Sequence, residues 1–347
     1  MKYKMHKNNF DLIRLILALV VFLVHSATLS KSDIFLSVAK YLNSGYAVYS
    51  FFIISGFLIF KSYENDSKSL KSFFKKRFLR IYPGYFFVVV ITSVLLFSIS
   101  NVNFYEYLNG WIKYLFANLL TLNFLQPTLP GVFENNPIHA VNGSLWTIKL
   151  EIMFYFSVPL IGWLFFKFKK FRLFIFVILY SLSVLYKEGL IEFSQGEFSS
   201  IYATLAKQFP GQLAFFLSGA YLYYYFQHFQ KYQYIYLFFA IVGIAVYYLK
   251  DIYVLLPFSL SIIVIYFALI FPYLGNFGKY GDFSFGIYIW HFPIVQVFVY
   301  FHILEKNPIM GSIALSFSVF LVAFLSWKYI EKPFLEKKSH YIQVEKY

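Results

Sequence analysis

The sequence predicts an all-α, polytopic transmembrane helical bundle of about ten spanning helices plus one re-entrant or interfacial segment. Three observations predict it. Hydrophobic residues make up 60% of the 347 positions and charged residues only 13%, a balance that soluble globules do not show. Mean hydropathy is +0.63, and apolar runs long enough to cross a hydrocarbon core of about 30 Å recur along the chain. Aromatic residues reach 24%, and Trp and Tyr favour the bilayer interfaces. There is no cysteine, so disulfides, thiolate nucleophiles and thiolate metal sites are excluded.

In order, spanning helices are expected near 10–28, 44–60, 82–100, 146–166, 171–187, 210–227, 234–249, 252–271, 284–304 and 309–329. Lys2, Lys4 and Lys7 ahead of the first run imitate a secretory signal. The run is too long for one and no small-x-small cleavage pattern follows, so it reads as a retained helix. The segment WIKYLFANLLTLNFL (111–125) is apolar but short, and such a segment lies in the interface or re-enters rather than spans. Charge fixes the count. With 111–125 kept outside, both termini share one side with 21 of the 30 Lys and Arg, eight lie opposite, and Arg14 lies within a helix. Cytoplasmic loops carry the positive excess, so both termini are expected in the cytoplasm and 101–145 outside. A spanning 111–125 would carry the basic KFKKFR loop outside. The +14 net charge is therefore a topology signal, and the partner it implies is a lipid bilayer, with no nucleic acid. An integral-membrane domain is expected over 1–335 and a short cytoplasmic tail over 336–347.

Ionisable residues inside the spans carry the functional information, because each costs roughly 2.5–3.5 kcal/mol or more in hydrocarbon and so faces protein or a wet cavity. Arg14 and His25 stand eleven positions apart in the first span, which returns to within about 20° of one face, about 16 Å apart along the axis. A snorkelling arginine and a packed histidine are the plainer alternative. Glu151 lies one or two turns inside its helix, after Ser144 as a possible cap. Counting along the helices puts His25 and Glu151 at a common depth, about 22 Å from the inner surface and about 7 Å from the outer end of a core about 30 Å thick. They form a base–orienter pair or are two unrelated polar groups. His291, followed by the helix-kinking Pro293, needs a partner in hydrocarbon. Ser55-Gly56 permits close helix contact or a cavity wall. Arg77 and Arg80, three apart in the stretch 62–81, are neighbours on one helical face and suit bidentate phosphate recognition; positive-inside decoration and anionic-lipid contact remain open. The outer stretch QPTLPGVFENNPIHAVNGS has no Lys or Arg and is long enough that a function or disorder is expected of it.

Together these residues carry a resemblance. The R-x10-H frame of Arg14 and His25, FFIISGFL, Arg77-x-x-Arg80 before Ile-Tyr-Pro, SLWTIKLEIMFY, YIWHFP and a final WKYIEKPF occur in an order that resembles the acyltransferase 3 family across almost the whole chain. The resemblance implies a bacterial integral-membrane O-acyltransferase, an O-acetyltransferase of the cytoplasmic (inner) membrane, acting on a cell-envelope polysaccharide or lipid-linked sugar. It implies acetyl-CoA as donor substrate, with no permanently bound cofactor and no metal. It makes His25, Glu151 and Arg14 active-site positions, Arg77 and Arg80 donor-phosphate contacts, and Ser55, Trp146 and His291 possible pocket residues. Ile152 and Met153 depart from the polar continuation that the family tends to show after its glutamate. With the chain ending soon after its last helix, no fused extracytoplasmic esterase-like domain is expected. Two mechanisms fit: His25 as general base for an acceptor hydroxyl, or His25 acylated as a relay. A transporter or flippase of lipid-linked saccharide is the competing class; such proteins often show paired broken helices in internal repeats, and no repeat is visible.

Overall fold

The computed structural model describes residues 8–65, 69–195 and 199–335. The expected tail 336–347 and the charge-count residues Lys2, Lys4, Lys7, Lys68, Lys337, Lys338 and Lys346 lie outside the described residues. The described residues form helices and no strand: α1 (Phe10–Ser30), α2 (Asp33–Ala39), α3 (Ser44–Asn65), α4 (Leu70–Leu95), α5 (Phe104–Leu119), α6 (Trp146–Lys167), α7 (Arg172–Phe193), α8 (Ser199–Ala206), α9 (Phe209–Tyr224), α10 (Phe226–Lys231), α11 (Gln233–Lys250), α12 (Leu255–Leu269), α13 (Phe283–Tyr300), α14 (Ile303–Lys306) and α15 (Pro308–Ser326). Each expected span coincides with a helix. Eight are long and apolar enough to cross a membrane, whereas α9 and α12 have 16 and 15 residues and fall short of a full straight span of about 20. The protein is an all-α, multi-pass membrane bundle.

One element differs from expectation. The basic stretch 62–81, expected as a loop, is helical for most of its length: α3 continues to Asn65 and α4 starts at Leu70. Ser69 Oγ accepts the Ser72 amide at 3.2 Å, a start signal, and α4 then runs through Pro83, which in membrane helices neighbouring groups can compensate. Residues 111–119 of the short apolar segment form the second half of α5, which begins at Phe104 because the Asn103 side chain accepts the Glu106 amide at 3.0 Å, and residues 120–125 are not helical. The helix ends before Thr121, whose φ is 62°.

The chain divides into two compact units. One comprises Met1–Phe10, Val48–Phe74 and Leu150–Gly275. Its tightest crossing is α3 on α9: a Cβ on Gly56 would lie 1.9 Å from the Phe216 carbonyl oxygen, and one on Gly219 would lie 2.0 Å from that of Ile53. Small residues on both helices permit that approach. Phe154 stacks on Phe216 at 4.4 Å beside it. Lys187, counted from the sequence as an outer-side residue, is instead buried in this unit, where its Nζ donates to Tyr253 Oη at 2.7 Å and Tyr49 Oη at 3.1 Å. The Tyr253 ring also takes the ammonium over its face at 4.4 Å, the arrangement that makes a buried cation tolerable.

The other unit comprises Asp11–Ala47, Lys75–Lys149 and Asn276–Tyr347. Its most buried helix is α13. Gly286 lets α13 touch Ala323 of α15, where a Cβ would meet the backbone at 3.1 Å. Helix α5 lies along α4, with Trp111 Nε1 donating to Ser93 Oγ at 2.9 Å and Tyr85 Oη donating to the Asn118 carbonyl at 2.6 Å. All the polar geometry of the candidate site, except that of Glu151 and Ser55, lies within this second unit.

Candidate active site

At the start of α13 a carboxylate gathers two arginines. Asp282 Oδ2 accepts Arg14 Nη1 at 3.2 Å and Arg80 Nη2 at 2.6 Å. Arg80 Nη1 reaches Glu331 Oε2 at 3.2 Å, and Ser326 Oγ donates to Glu331 Oε1 at 2.9 Å. Arg14 also lies 3.5 Å from Asp11, one turn back on α1. The side chains of Asp282 and Glu331 are 4% and 1% exposed. Charges so buried persist only when paired and hydrogen-bonded, and here each has a partner of opposite sign.

Local sequence explains the convergence. Asp282 caps α13, its Oδ1 accepting the Ser284 amide at 3.2 Å and Ser284 Oγ at 2.5 Å, which leaves Oδ2 for the arginines. Gly281 turns the chain into that cap with φ 123°. At the far end of α15, residues Trp327–Glu331 form a π-helical turn; such turns insert an extra residue and re-aim side chains. Trp327 packs on Gly281, where a Cβ would stand 2.3 Å from the indole Nε1. Gly281→Ala therefore meets both a disfavoured φ and a buried indole. The expected result is loss of about 2 kcal/mol or more, within the range for strained or overpacked positions, read as reduced thermal stability of the purified protein. An unchanged melting temperature would refute the constraint.

Higher along α1, His25 Nδ1 and His291 Nε2 are 2.8 Å apart, with stacked rings 5.1 Å between centroids. His291 is fully buried and its Nδ1 lies 2.9 Å from the Ile287 carbonyl. Phe22 and Phe292 wall the pair, with ring centroids 6.3 Å from His291 and 5.6 Å from His25 respectively. His25 itself is half-buried. The loop between α5 and α6 is fastened beside this pair. Pro293 has no amide to offer the Ile289 carbonyl, and Asn142 Nδ2 donates to that carbonyl at 2.8 Å instead. Ser144 Oγ donates to the Tyr288 carbonyl at 3.2 Å, and Thr147 Oγ1 meets Tyr288 Oη at 2.7 Å. Further out, Asn136 Nδ2 donates to Gln296 Oε1 at 2.9 Å, while Gln296 Nε2 donates to the Ile138 and Ala140 carbonyls at 2.6 and 2.7 Å.

The structure thus joins Arg14 to Arg80 through Asp282, and His25 to His291. Arg77 lies on α4 one turn before Arg80, half-buried. Trp146 is half-buried at the start of α6. Glu151 and Ser55 belong to the other unit: Glu151 accepts a short hydrogen bond from Tyr155 Oη one turn on, and Ser55 is half-buried beside Gly56. Sequence reasoning did not single out Asp282, Glu331, Asn136, Asn142 or Gln296. Asp282 carried a cap signal, an Asp two residues before Ser284 at the head of an apolar helix, and Glu331 lay within the WKYIEKPF motif; the three amides had none that stands out from loop and interface composition.

An all-α membrane bundle with a histidine pair and a buried cluster of arginines and carboxylates among its helices defines a class: multi-pass membrane proteins with ionisable groups gathered between their helices. A family profile described as an acyltransferase domain matches residues 7–328. The chain belongs to the acyltransferase 3 family. It is 29% identical over 361 residues to an "O-acetyl transferase" of Shigella phage Sf6, covering 96% of this chain and 98% of that one. It is 33% identical over 175 residues to "Nodulation protein 10" of Rhizobium leguminosarum bv. viciae, covering 45% of this chain and 44% of the relative. "Acyltransferase MdmB" of Streptomyces mycarofaciens is 32% identical over 116 residues, 33% of this chain and 27% of the relative. No solved structure matches the chain at a significant level.

Proposed function

We propose that this membrane acyltransferase is an O-acetyltransferase that moves acetyl from cytoplasmic acetyl-CoA to a hydroxyl of a cell-envelope polysaccharide or lipid-linked sugar. The observation that carries the reading is end-to-end similarity to a phage protein named O-acetyl transferase, together with a histidine on α1 whose ring is built into a polar network. The proposed setting is a bacterial cytoplasmic membrane with both termini in the cytoplasm and one catalytic domain over 1–335.

In the proposed reaction His25 takes the proton of the acceptor hydroxyl while that oxygen attacks the thioester carbonyl. The C–S bond then breaks, and the CoA thiolate leaves and takes up the proton. Arg77 and Arg80 contact the donor's phosphates, and Arg14 compensates negative charge. Glu151 is carried into the active site by its motif. The test is transfer of labelled acetyl, or release of CoA, by purified protein in nanodiscs. Free CoA can be read with a thiol reagent because the chain has no cysteine of its own. Movement of lipid-linked saccharide with no acetyl transfer would overturn the reading in favour of a flippase. Labelled acetyl-protein trapped in a single turnover without acceptor would replace direct transfer by a His25 relay.

Donor binding gives a separate expectation. Charge-assisted contacts to phosphate are worth roughly 1.5–3 kcal/mol, so Arg77→Ala should weaken acetyl-CoA affinity about tenfold or more. Arg80→Lys should weaken it less than Arg80→Ala, since an ammonium keeps the charge and loses the fork. Calorimetry in detergent checks this, and unchanged affinity in Arg77→Ala and Arg80→Ala would remove the pair from donor binding and leave Arg80 to its ion pairs with Asp282 and Glu331.

A further inference from the structure

We infer that His291 is a positioning residue that fixes the tautomer of His25, so that the Nε2 of His25 carries the lone pair used as base. The inference rests on the proposed role of His25 in proton transfer. The chain of contacts determines the protons. The Ile287 carbonyl oxygen, 2.9 Å from His291 Nδ1, is an acceptor only, so His291 Nδ1 must carry a hydrogen. A neutral imidazole has one N–H and one lone pair, which leaves His291 Nε2 as an acceptor. The nitrogen 2.8 Å away, His25 Nδ1, must then be the donor. Its own ring consequently keeps a bare Nε2. The opposite assignment would point a lone pair of His291 at a carbonyl oxygen and forfeit a hydrogen bond inside a fully buried site.

Two features make the arrangement stiff enough to serve. Ile287 is one helical turn before His291 on α13, so the acceptor that sets the first proton is part of the same rigid element. Asn142 and Ser144 hold the neighbouring Ile289 and Tyr288 carbonyls, which fixes the turn of backbone that Pro293 would otherwise leave loose. The histidine pair is thus the neutral counterpart of a carboxylate–histidine dyad. A carboxylate would orient the ring and favour the imidazolium; a second imidazole in this tautomer orients the ring without adding charge in hydrocarbon.

The experiment measures the tautomer first, without substrate. Protein labelled with 15N-histidine is reconstituted in nanodiscs, and the His25 signals are assigned by difference from His25→Gln. The expected result is a pyrrole-type Nδ1 and a pyridine-type Nε2 on His25. A pyridine-type Nδ1 would overturn the inference. Kinetics follow. His291→Phe keeps an aromatic ring and removes the acceptor; it should lower kcat about 100-fold, the lower range for losing acid–base catalysis, with donor KM unchanged. His291→Gln supplies an amide oxygen as acceptor and should recover at least a tenth of the lost rate. Equal losses in both variants, or a His25 tautomer unchanged in His291→Phe, would reduce His291 to a packing residue. A protein with the expected tautomer and no acetyl transfer would instead sink the functional reading and leave the pairing intact.

Discussion

His25→Ala is expected to lower acetyl transfer by about 10²–10⁴-fold, the range that general acid–base groups contribute, while membrane abundance stays near normal. The reason for separating the two effects is where the ring sits. His25 is half-buried on α1 and its Nδ1 meets His291 Nε2 at 2.8 Å. Removing the ring leaves one buried acceptor unsatisfied, a cost of about 1–3 kcal/mol, within what a large bundle absorbs. No charge is stranded. Acetylation of the surface polymer in cells, with the variant quantified in membranes, is the measurement. Near-normal acetylation would remove His25 from the chemistry.

Asp282→Asn should have the opposite signature, a large loss of stability that takes activity with it. The substitution keeps the shape and the cap to Ser284 but removes the charge that two guanidiniums share at 3.2 and 2.6 Å. Breaking a buried pair costs about 3–5 kcal/mol because the remaining charge stays uncompensated, and here two cations are affected. Glu331→Gln should cost less, because Arg80 keeps Asp282. The expected order of thermal stability is unaltered protein, then Glu331→Gln, then Asp282→Asn. Equal melting temperatures for all three would mean that water or lipid already solvates the cluster.

Much of the fold was legible because hydrocarbon imposes simple rules on sequence. Ten apolar runs became ten helices, and the errors fell where a local rule met a competing one. The span expected from 82 begins at Leu70 in α4, because the basic stretch ahead of it continues the same helix, and the proline within it can be compensated by neighbours. Lys187 read only as a charge in the loop count, and nothing in the sequence signalled that two phenols and an aromatic face receive it. The site was legible as a set of residues more than as a set of partners. Arg14, His25, Arg80 and His291 stood out as ionisable groups in or beside hydrocarbon, but sequence spacing relates residues only within one helix. That Arg14 and Arg80 meet on Asp282, or that His25 meets His291 across 266 positions, is decided by helix packing. The π-turn that aims Glu331 at Arg80 has no pattern in a helical repeat.

The hydrogen bonds from Asn136, Asn142, Ser144 and Gln296 have a consequence for how this region opens. Each joins the loop between α5 and α6 to a backbone carbonyl or side chain of α13, and the Ile289 carbonyl has no helical amide to return to because residue 293 is proline. Peeling the loop away would expose that oxygen and the Gln296 amide to a medium short of donors. The loop and the turns of α13 that it covers therefore constitute one cooperative unit of local unfolding, with a shared opening free energy. An irregular, glycine- and proline-rich segment thereby acquires the protection against exchange of the helix it covers.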